Sequence, residues 1–271
     1  MPAPALSEIE GPALSEVEGP AASDTTRVDR LLELTERAQA HHFWYHGFRS
    51  YIRPVIANVT AGRSNLRLVD CACGTGHNLE LLTPYGRAVG FDLTIGGLAH
   101  AQTRGHSVAR ADITRAPFPA EAFDIATSFD VMQCTERDRE AVREMARLLK
   151  PGGVAVITMA AFELLRGDHS EQWEEFRRYT PAMARQLATQ AGLRVERVQF
   201  LFASLVPLML AVRGLQRLLR PLRKPRLDAD IAVPSPPVNA TLTWVLRQEA
   251  ALAQRMPMPF GSSLLVVARK P

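Results

Sequence analysis

From Leu66 onward, short apolar runs alternate with segments whose apolar residues recur every three or four positions. The runs are LRLVDC (66–71), RAVGFDL (87–93), HSVARAD (106–112), AFDIATSFD (122–130), GVAVITMA (153–160), RVERVQF (194–200) and SSLLVVARK (262–270). Apolar runs of this length, bounded by Gly, Asp or Pro, read as buried strands. Between them, LELLTPYG (79–86) predicts a helix that stops before Pro84, IGGLAHAQTRG (95–105) a weak helix, and DREAVREMARLLK (138–150) and PAMARQLATQAG (181–192) amphipathic helices. Pro151, Gly152 and Gly153 are expected to end the third of these. Strands alternating with helices imply a mostly parallel, doubly wound α/β sheet covered on both faces.

The flanks follow a different rhythm. Helical periodicity begins near Thr26 and resumes after an aromatic cluster as WYHGFRSYIRPVIANV (44–59). Two further helices are predicted near 203–220 and 240–255, separated by VPSPPVN (233–239). The octapeptide ALSEIEGP (5–12) is repeated as ALSEVEGP (13–20), too short and polar to bury a face. The expected organisation is a disordered tail (1–24), cap helices (25–60), a ligand-binding core (61–201), a helical lid insertion (202–261) and a last core strand (262–271).

The candidate chemistry lies in LVDCACGTGHN (68–78). Cys71-x-Cys73 lacks the further ligands of a metal site and the spacing of a redox pair, so both cysteines read as small core residues, and no metal is expected. Gly74 and Gly76 allow a tight turn through which a backbone approaches a ligand. A third glycine three residues on would make a dinucleotide fingerprint, but Leu79 stands there. Asp70, Asp92 and Asp112 each fall near the carboxyl end of a predicted strand, where open α/β sheets bind ligands. Asp92 suits a pair of ribose hydroxyls and Asp112 an exocyclic amine. Three carboxylates would repel phosphate, so the set fits a nucleoside ligand without one.

These motifs resemble the class I S-adenosylmethionine-dependent methyltransferases, of the bacterial small-molecule kind related to methyltransferase type 11. VDCACGTG, GFDL, ADI, FDIATSFDVMQ and LLKPGGVAVI carry the resemblance over Leu66–Ile157, and HHFWYHGFRSYI, FRRYTP, PPVN and PFGSSLLVVARK extend it more weakly. It implies a Rossmann-like sheet of seven strands and S-adenosyl-L-methionine as cofactor. The implied cofactor residues are Asp70, Ala72, Cys73, Gly74, Gly76, Asn78, Asp92, Leu93, Asp112, Ile113, Phe129 and Asp130. Trp44, Tyr45, Arg49 and Arg178 become substrate or lid candidates, with packing as the alternative role of the aromatic residues and structural anchoring that of Arg178. Ala72 replaces the first glycine of the usual loop, and Gln133–Cys134 replaces a common Glu-His pair. No general base is therefore evident; His169 and Tyr179 are the weak candidates. Catalysis by aligning nucleophile and methyl does not require one in every case.

Charge adds one feature. The chain carries a net +4, yet 202–260 alone holds eight Arg or Lys against three Asp or Glu. Within it Leu208, Val212, Leu215 and Leu219 form an apolar helical stripe, with Arg213, Arg217 and Arg220 opposite and Pro221 ending or kinking the helix. Two readings stand: a helix lying in an anionic membrane interface, or a lid helix on the core with solvated arginines. No apolar run reaches a membrane span, and MPAPALSEIEGP lacks the features of a secretory leader. With three cysteines, the expected place is the cytoplasm or the inner face of its membrane. The expected activity is methyl transfer to a small-molecule or lipid-linked acceptor, with a non-catalytic, cofactor-binding regulatory or membrane-associated protein as the alternative. Nucleic acid is not an expected partner, since the excess charge lies outside the core. Composition leaves the oligomeric state open.

Overall fold

The computed structural model describes residues 22–219 and 232–271, with side chains from Leu31 onward at the amino-terminal end. The repeat segment lies outside the described residues, as do Arg220 and Pro221. Seven strands form one sheet: β1 (Leu66–Cys71), β2 (Gly86–Asp92), β3 (Ser107–Arg110), β4 (Phe123–Phe129), β5 (Leu149–Ala160), β6 (Arg194–Leu201) and β7 (Ser263–Arg269). Their order is β3-β2-β1-β4-β5-β7-β6. The first five strands run parallel, and β7 is antiparallel to both β5 and β6. The doubly wound, mostly parallel reading holds.

The helices are α1 (Ala22–Gln39), α2 (Phe43–Thr60), α3 (Ile95–Thr103), α4 (Asp138–Leu148), α5 (Asp168–Gln172), α6 (Pro181–Gln190), α7 (Val206–Leu219) and α8 (Pro236–Ala253). Alternate side chains of a strand point to opposite faces, and two cores result. One joins Val69, Cys71 and Phe91 to α4 and α6 through Met145 and Leu187. The other joins Leu68 and Cys73 to α2, α3 and α8 through Ile52, Leu98 and Leu246. The two loop cysteines thus serve opposite layers, both buried, and burial pushes both thiols well above their ordinary pKa.

Four local expectations are corrected. Leu79–Gly86 is not a helix but two 3₁₀ turns, His77–Leu81 and Thr83–Tyr85. Only a few residues separate Gly76 from β2, and Pro84 supplies no backbone N–H to continue an α-helix. β5 begins at Leu149, earlier than predicted: Pro151–Gly153 continues the strand, with Gly152 at φ +77° and a register shift opposite Phe123–Ile125. VPSPPVN does not lie wholly between helices, because its two adjacent prolines sit in the first turn of α8, where their missing N–H groups cost nothing. α8 packs closely on α2: Leu246 is fully buried there, so close that a Cβ on Gly47 would stand 2.4 Å from it.

The fourth correction concerns α7. Its arginine face turns inward and its apolar stripe outward. Arg213 is buried, and Arg217 donates to the backbone oxygen of Leu164 at 2.6 Å. Leu208, Val212 and Leu215 of the stripe are exposed, as is Leu218, while Leu219 is half-buried and Arg217 reaches Leu164 from an exposed position. The carbonyls that end the 3₁₀ turn Glu163–Leu165 need donors, and an arginine supplies them where a leucine cannot.

Candidate functional site

Strand order turns between β1 and β4: the chain leaves β1 toward β2 and β3 on one side, and leaves β4 toward β5 on the other. In open α/β sheets the ligand crevice lies there, outside the carboxyl ends of the strands. The loop after β1 occupies one wall. Ala72 (φ +61°), Gly74 (φ +53°) and Gly76 (φ +80°) all take left-handed backbone, which lets the chain turn twice within five residues. Gly97 of α3 lies directly against Gly74, where a Cβ would stand 3.0 Å from the Gly74 backbone. A Cβ on Gly90 of β2 would stand 2.6 Å from the Cys73 sulfur, so Cys73 fills the gap that Gly90 leaves.

One of the acids holds this loop directly. Asp92 accepts from Gly74 N at 2.8 Å through one oxygen, and from Thr94 N at 2.9 Å and Thr94 Oγ1 at 2.6 Å through the other. Its carboxylate therefore fixes the glycine loop and keeps one accepting position, on the oxygen that bonds Gly74, for a ligand hydroxyl. Asp70 is buried on β1 and accepts from Thr127 Oγ1 of β4 at 2.6 Å. Burial, aided by the neighbouring charge of Asp92, pushes its pKa up to about 7. Asp112 accepts from Thr114 N and Oγ1 at 2.8 and 2.7 Å and from Arg137 at 2.8 Å. Burial opposes its charge, but Thr114 and Arg137 outweigh it and hold the carboxyl below its ordinary value. Leu93 and Ile113 follow these acids as half-buried residues, and Asn78 stands half-buried in the first 3₁₀ turn.

The opposite wall is aromatic. Trp44 stacks on Phe48 and Phe202, both at 5.4 Å between ring centroids, and Phe48 meets Phe129 edge-on at 5.3 Å. Phe129 ends β4, and Asp130 follows it in left-handed backbone at φ +56°. Burial raises the Tyr45 phenol to about 12.

A polar latch joins the cap to the loop. His77 contacts Glu36 of α1 at 3.1 Å, Arg104 at 2.6 Å and Arg49 of α2 at 3.3 Å, and Thr75 Oγ1 donates to Gln39 of α1 at 3.3 Å. Burial pushes the His77 imidazole down to about 4. Sequence reasoning did not single out Glu36, His77 or Arg104. They come from three elements distant along the chain, and only His77 lies in a motif, the 68–78 stretch.

The weak catalytic candidates lie elsewhere. The Tyr179 hydroxyl donates to Met132 O at 2.9 Å and to Asp138 at 2.7 Å, and burial drives its pKa upward, so it anchors β4's exit to α4. Arg178 is buried in an ion pair with Glu175 at 2.8 Å. His169 lies on α5 with its ring 6.2 Å from that of Trp173. Among the described residues no His, Cys, Asp or Glu cluster could hold a metal ion.

Residues 69–157 match the family described as a methyltransferase domain. The matched residues run from within β1 to within β5, the part of the sheet that forms the crevice. This chain is 29% identical over 125 residues to a malonyl-[acyl-carrier protein] O-methyltransferase of Salmonella typhimurium, covering 45% of this chain and 50% of the relative. It is 31% identical over 112 residues to a demethylmenaquinone methyltransferase of Mycobacterium bovis, covering 41% and 44%. The matches thus span half or less of these relatives. A solved SAM-dependent methyltransferase from Thermotoga maritima superposes with a TM-score of 0.57 at 17% identity, covering 91% of this chain and 99% of that one. The chain therefore shares that structure's fold over most of its length.

Proposed function

We propose that this protein is an S-adenosylmethionine-dependent methyltransferase acting on an apolar small-molecule or lipid-linked acceptor. The observation that carries the reading is the donor set of the crevice. Asp70, Asp92 and Asp130 bring three carboxyls to the ends of β1, β2 and β4 beside a left-handed glycine loop. That chemistry suits a ligand carrying hydroxyls and positive charge and disfavours phosphate. S-Adenosylmethionine meets it with a ribose, an ammonium and a sulfonium, and supplies an electrophilic methyl group for in-line displacement. Asp92 and the 72–78 loop hold the ribose side and the amino-acid side, and Asp112 with Ile113 the base. Trp44, Phe48 and Phe129 form an apolar wall that excludes water and orients an apolar acceptor. Tyr45 and Arg49, on the same helix, serve as cap residues.

The outward stripe of α7 supports a second part of the reading, peripheral contact with an anionic membrane at its inner face. Leu208, Val212, Leu215 and Leu218 are exposed on one helix, and the sequence beyond it adds Arg220, Arg223, Lys224 and Arg226. Among the described residues no helix is long and apolar enough to cross a membrane. Sedimentation with anionic and neutral liposomes tests this part: binding is expected only with anionic lipid and is expected to fall with salt.

Calorimetry tests the cofactor. Wild type is expected to bind S-adenosylmethionine, and Asp92→Ala to bind it more weakly by about 1.5–3 kcal/mol, the scale of a hydrogen bond to a charged group. Unchanged affinity in a folded Asp92→Ala protein would overturn the placement.

A further inference from the structure

Asp130 stands where the order of acids along the sheet edge leads. Asp112 follows β3, Asp92 ends β2, Asp70 lies near the end of β1, and Asp130 follows β4, the next strand across. A nucleoside with its base at β3 and its ribose at β2 extends along this edge toward β1 and β4. Its sulfonium end therefore arrives at the exit of β4.

The backbone of Asp130 is pinned there. Its N–H donates to Thr158 O at 3.1 Å and to Thr158 Oγ1 at 3.0 Å, and its carbonyl accepts from Gln133 Nε2 at 2.9 Å. Left-handed backbone is uncommon for a residue with a Cβ, and these contacts hold it. The turn re-aims the side chain after the last residue of the strand, and part of the residue stays accessible. The titratable and charged groups around it are Tyr45 of α2, Cys134 of the turn after β4, and Glu175 and Arg178 of the segment after α5. Burial raises the carboxyl to about 6; Thr158 and Arg178 pull it down, and Glu175 pushes it up.

We infer that Asp130 faces the transferring methyl group and is the catalytic base that takes the acceptor's proton. This rests on the cofactor reading above and gives the crevice the base that its motifs lack. Asp130 takes the proton of the acceptor's O–H or N–H while the acceptor's lone pair bonds to the methyl carbon. The carbon–sulfur electron pair stays on sulfur, which becomes neutral, and the proton leaves Asp130 for water. A positive charge arriving beside the carboxyl favours its ionised form. Cofactor binding therefore readies the base by expelling its proton.

That proton is measurable without an acceptor. Calorimetry at pH 6 in buffers of different ionisation enthalpy compares S-adenosylmethionine with S-adenosylhomocysteine, which lacks the methyl group and the positive charge. Wild type is expected to release about half a proton more with the cationic ligand, and its preference for that ligand to rise roughly tenfold between pH 5 and 7.5. Asp130→Asn is expected to lose both the excess and the pH dependence, whatever its affinity for S-adenosylhomocysteine. Asp130→Gly, whose backbone accepts the left-handed conformation freely, should behave the same way and serves if the Asn variant misfolds. A variant that keeps the excess proton and the pH-dependent preference overturns the role of Asp130 and leaves the cofactor reading intact. Failure of wild type to bind either ligand overturns both.

Discussion

The side chain of Arg213 lies on the Cα of Gly167, where a Cβ would stand 2.3 Å from its Cδ and 2.4 Å from its Nε. Gly167 has extended backbone, at φ −156° and ψ −164°, open to any residue. Its substitution therefore tests packing and nothing else. Gly167→Ala is expected to push α7 from its seat on the 163–167 segment and to cost about 1–3 kcal/mol, the range for overpacking. Hydrogen exchange read at α7 is the measurement. Faster exchange there is expected, and unchanged exchange together with an unchanged melting temperature would show that α7 is held by other contacts.

Glu249 holds the entry to the same helix. From α8 it accepts the Tyr51 hydroxyl at 2.5 Å, Ala203 N at 2.6 Å, Ser204 N at 2.9 Å and the Ser204 hydroxyl. One buried carboxylate thus joins α2, α8 and the turn from β6 into α7. Glu249→Ala leaves these donors without their acceptor, and a loss of about 3–5 kcal/mol in urea unfolding is expected. Glu249→Gln keeps an accepting oxygen and should lose less. Equal losses in the two variants would show that packing, not the donors, sets the cost.

Ala72 stands where the resembling family carries glycine, at φ +61°. A Cβ in left-handed backbone costs roughly 1–2 kcal/mol, and glycine returns part of that by loosening the unfolded chain. Ala72→Gly is expected to stabilise the protein by about 0.5–1 kcal/mol, a rise of roughly 1–4 °C in melting temperature by calorimetry. A lower melting temperature would mean that the methyl group packs usefully in the loop.

What the chain's pattern makes legible, and what it hides, divides along a physical line. β1 was readable to the residue, because a buried parallel strand is a continuous apolar run closed by its loop. The glycine loop and the three acids were readable because the loop follows β1 directly and each acid lies within two residues of a strand's carboxyl end. The segment 79–86 misled, since its leucines have helical spacing while the short connection has no room for a helix. For α7 the amphipathic faces were readable but not their direction. Periodicity cannot say which face meets the core, and here the carbonyls of Leu164 and Arg166 attract the arginines inward. The Glu36–His77–Arg104 latch and the enclosure of Asp130 arise from tertiary contacts between distant segments, which no local spacing encodes.

Asp70 gives the pH dependence a defined sign. Its carboxyl titrates at about 7 in the folded protein against an ordinary 3.8, chiefly because it is buried. A raised carboxyl favours folding while protonated. Its contribution is whole below pH 4 and is lost as pH rises toward and through 7. At pH 8 the folded state bears a buried charge that costs on the order of a few kcal/mol. Asp70→Asn keeps an oxygen to accept from Thr127 Oγ1, which now reaches Asp70 at 2.6 Å, and removes the titration. The variant is therefore expected to lose less stability than wild type between pH 5 and pH 8, and to be the more stable of the two at pH 8 without ligand. Chemical denaturation at both pH values measures the difference. If the gap between variant and wild type does not widen from pH 5 to pH 8, Asp70 is not the buried acid that titrates in this window. With S-adenosylmethionine present the order at pH 8 should narrow or reverse, because the ligand's ammonium, which S-adenosylhomocysteine also carries, gives the ionised Asp70 a counter-charge that asparagine cannot use.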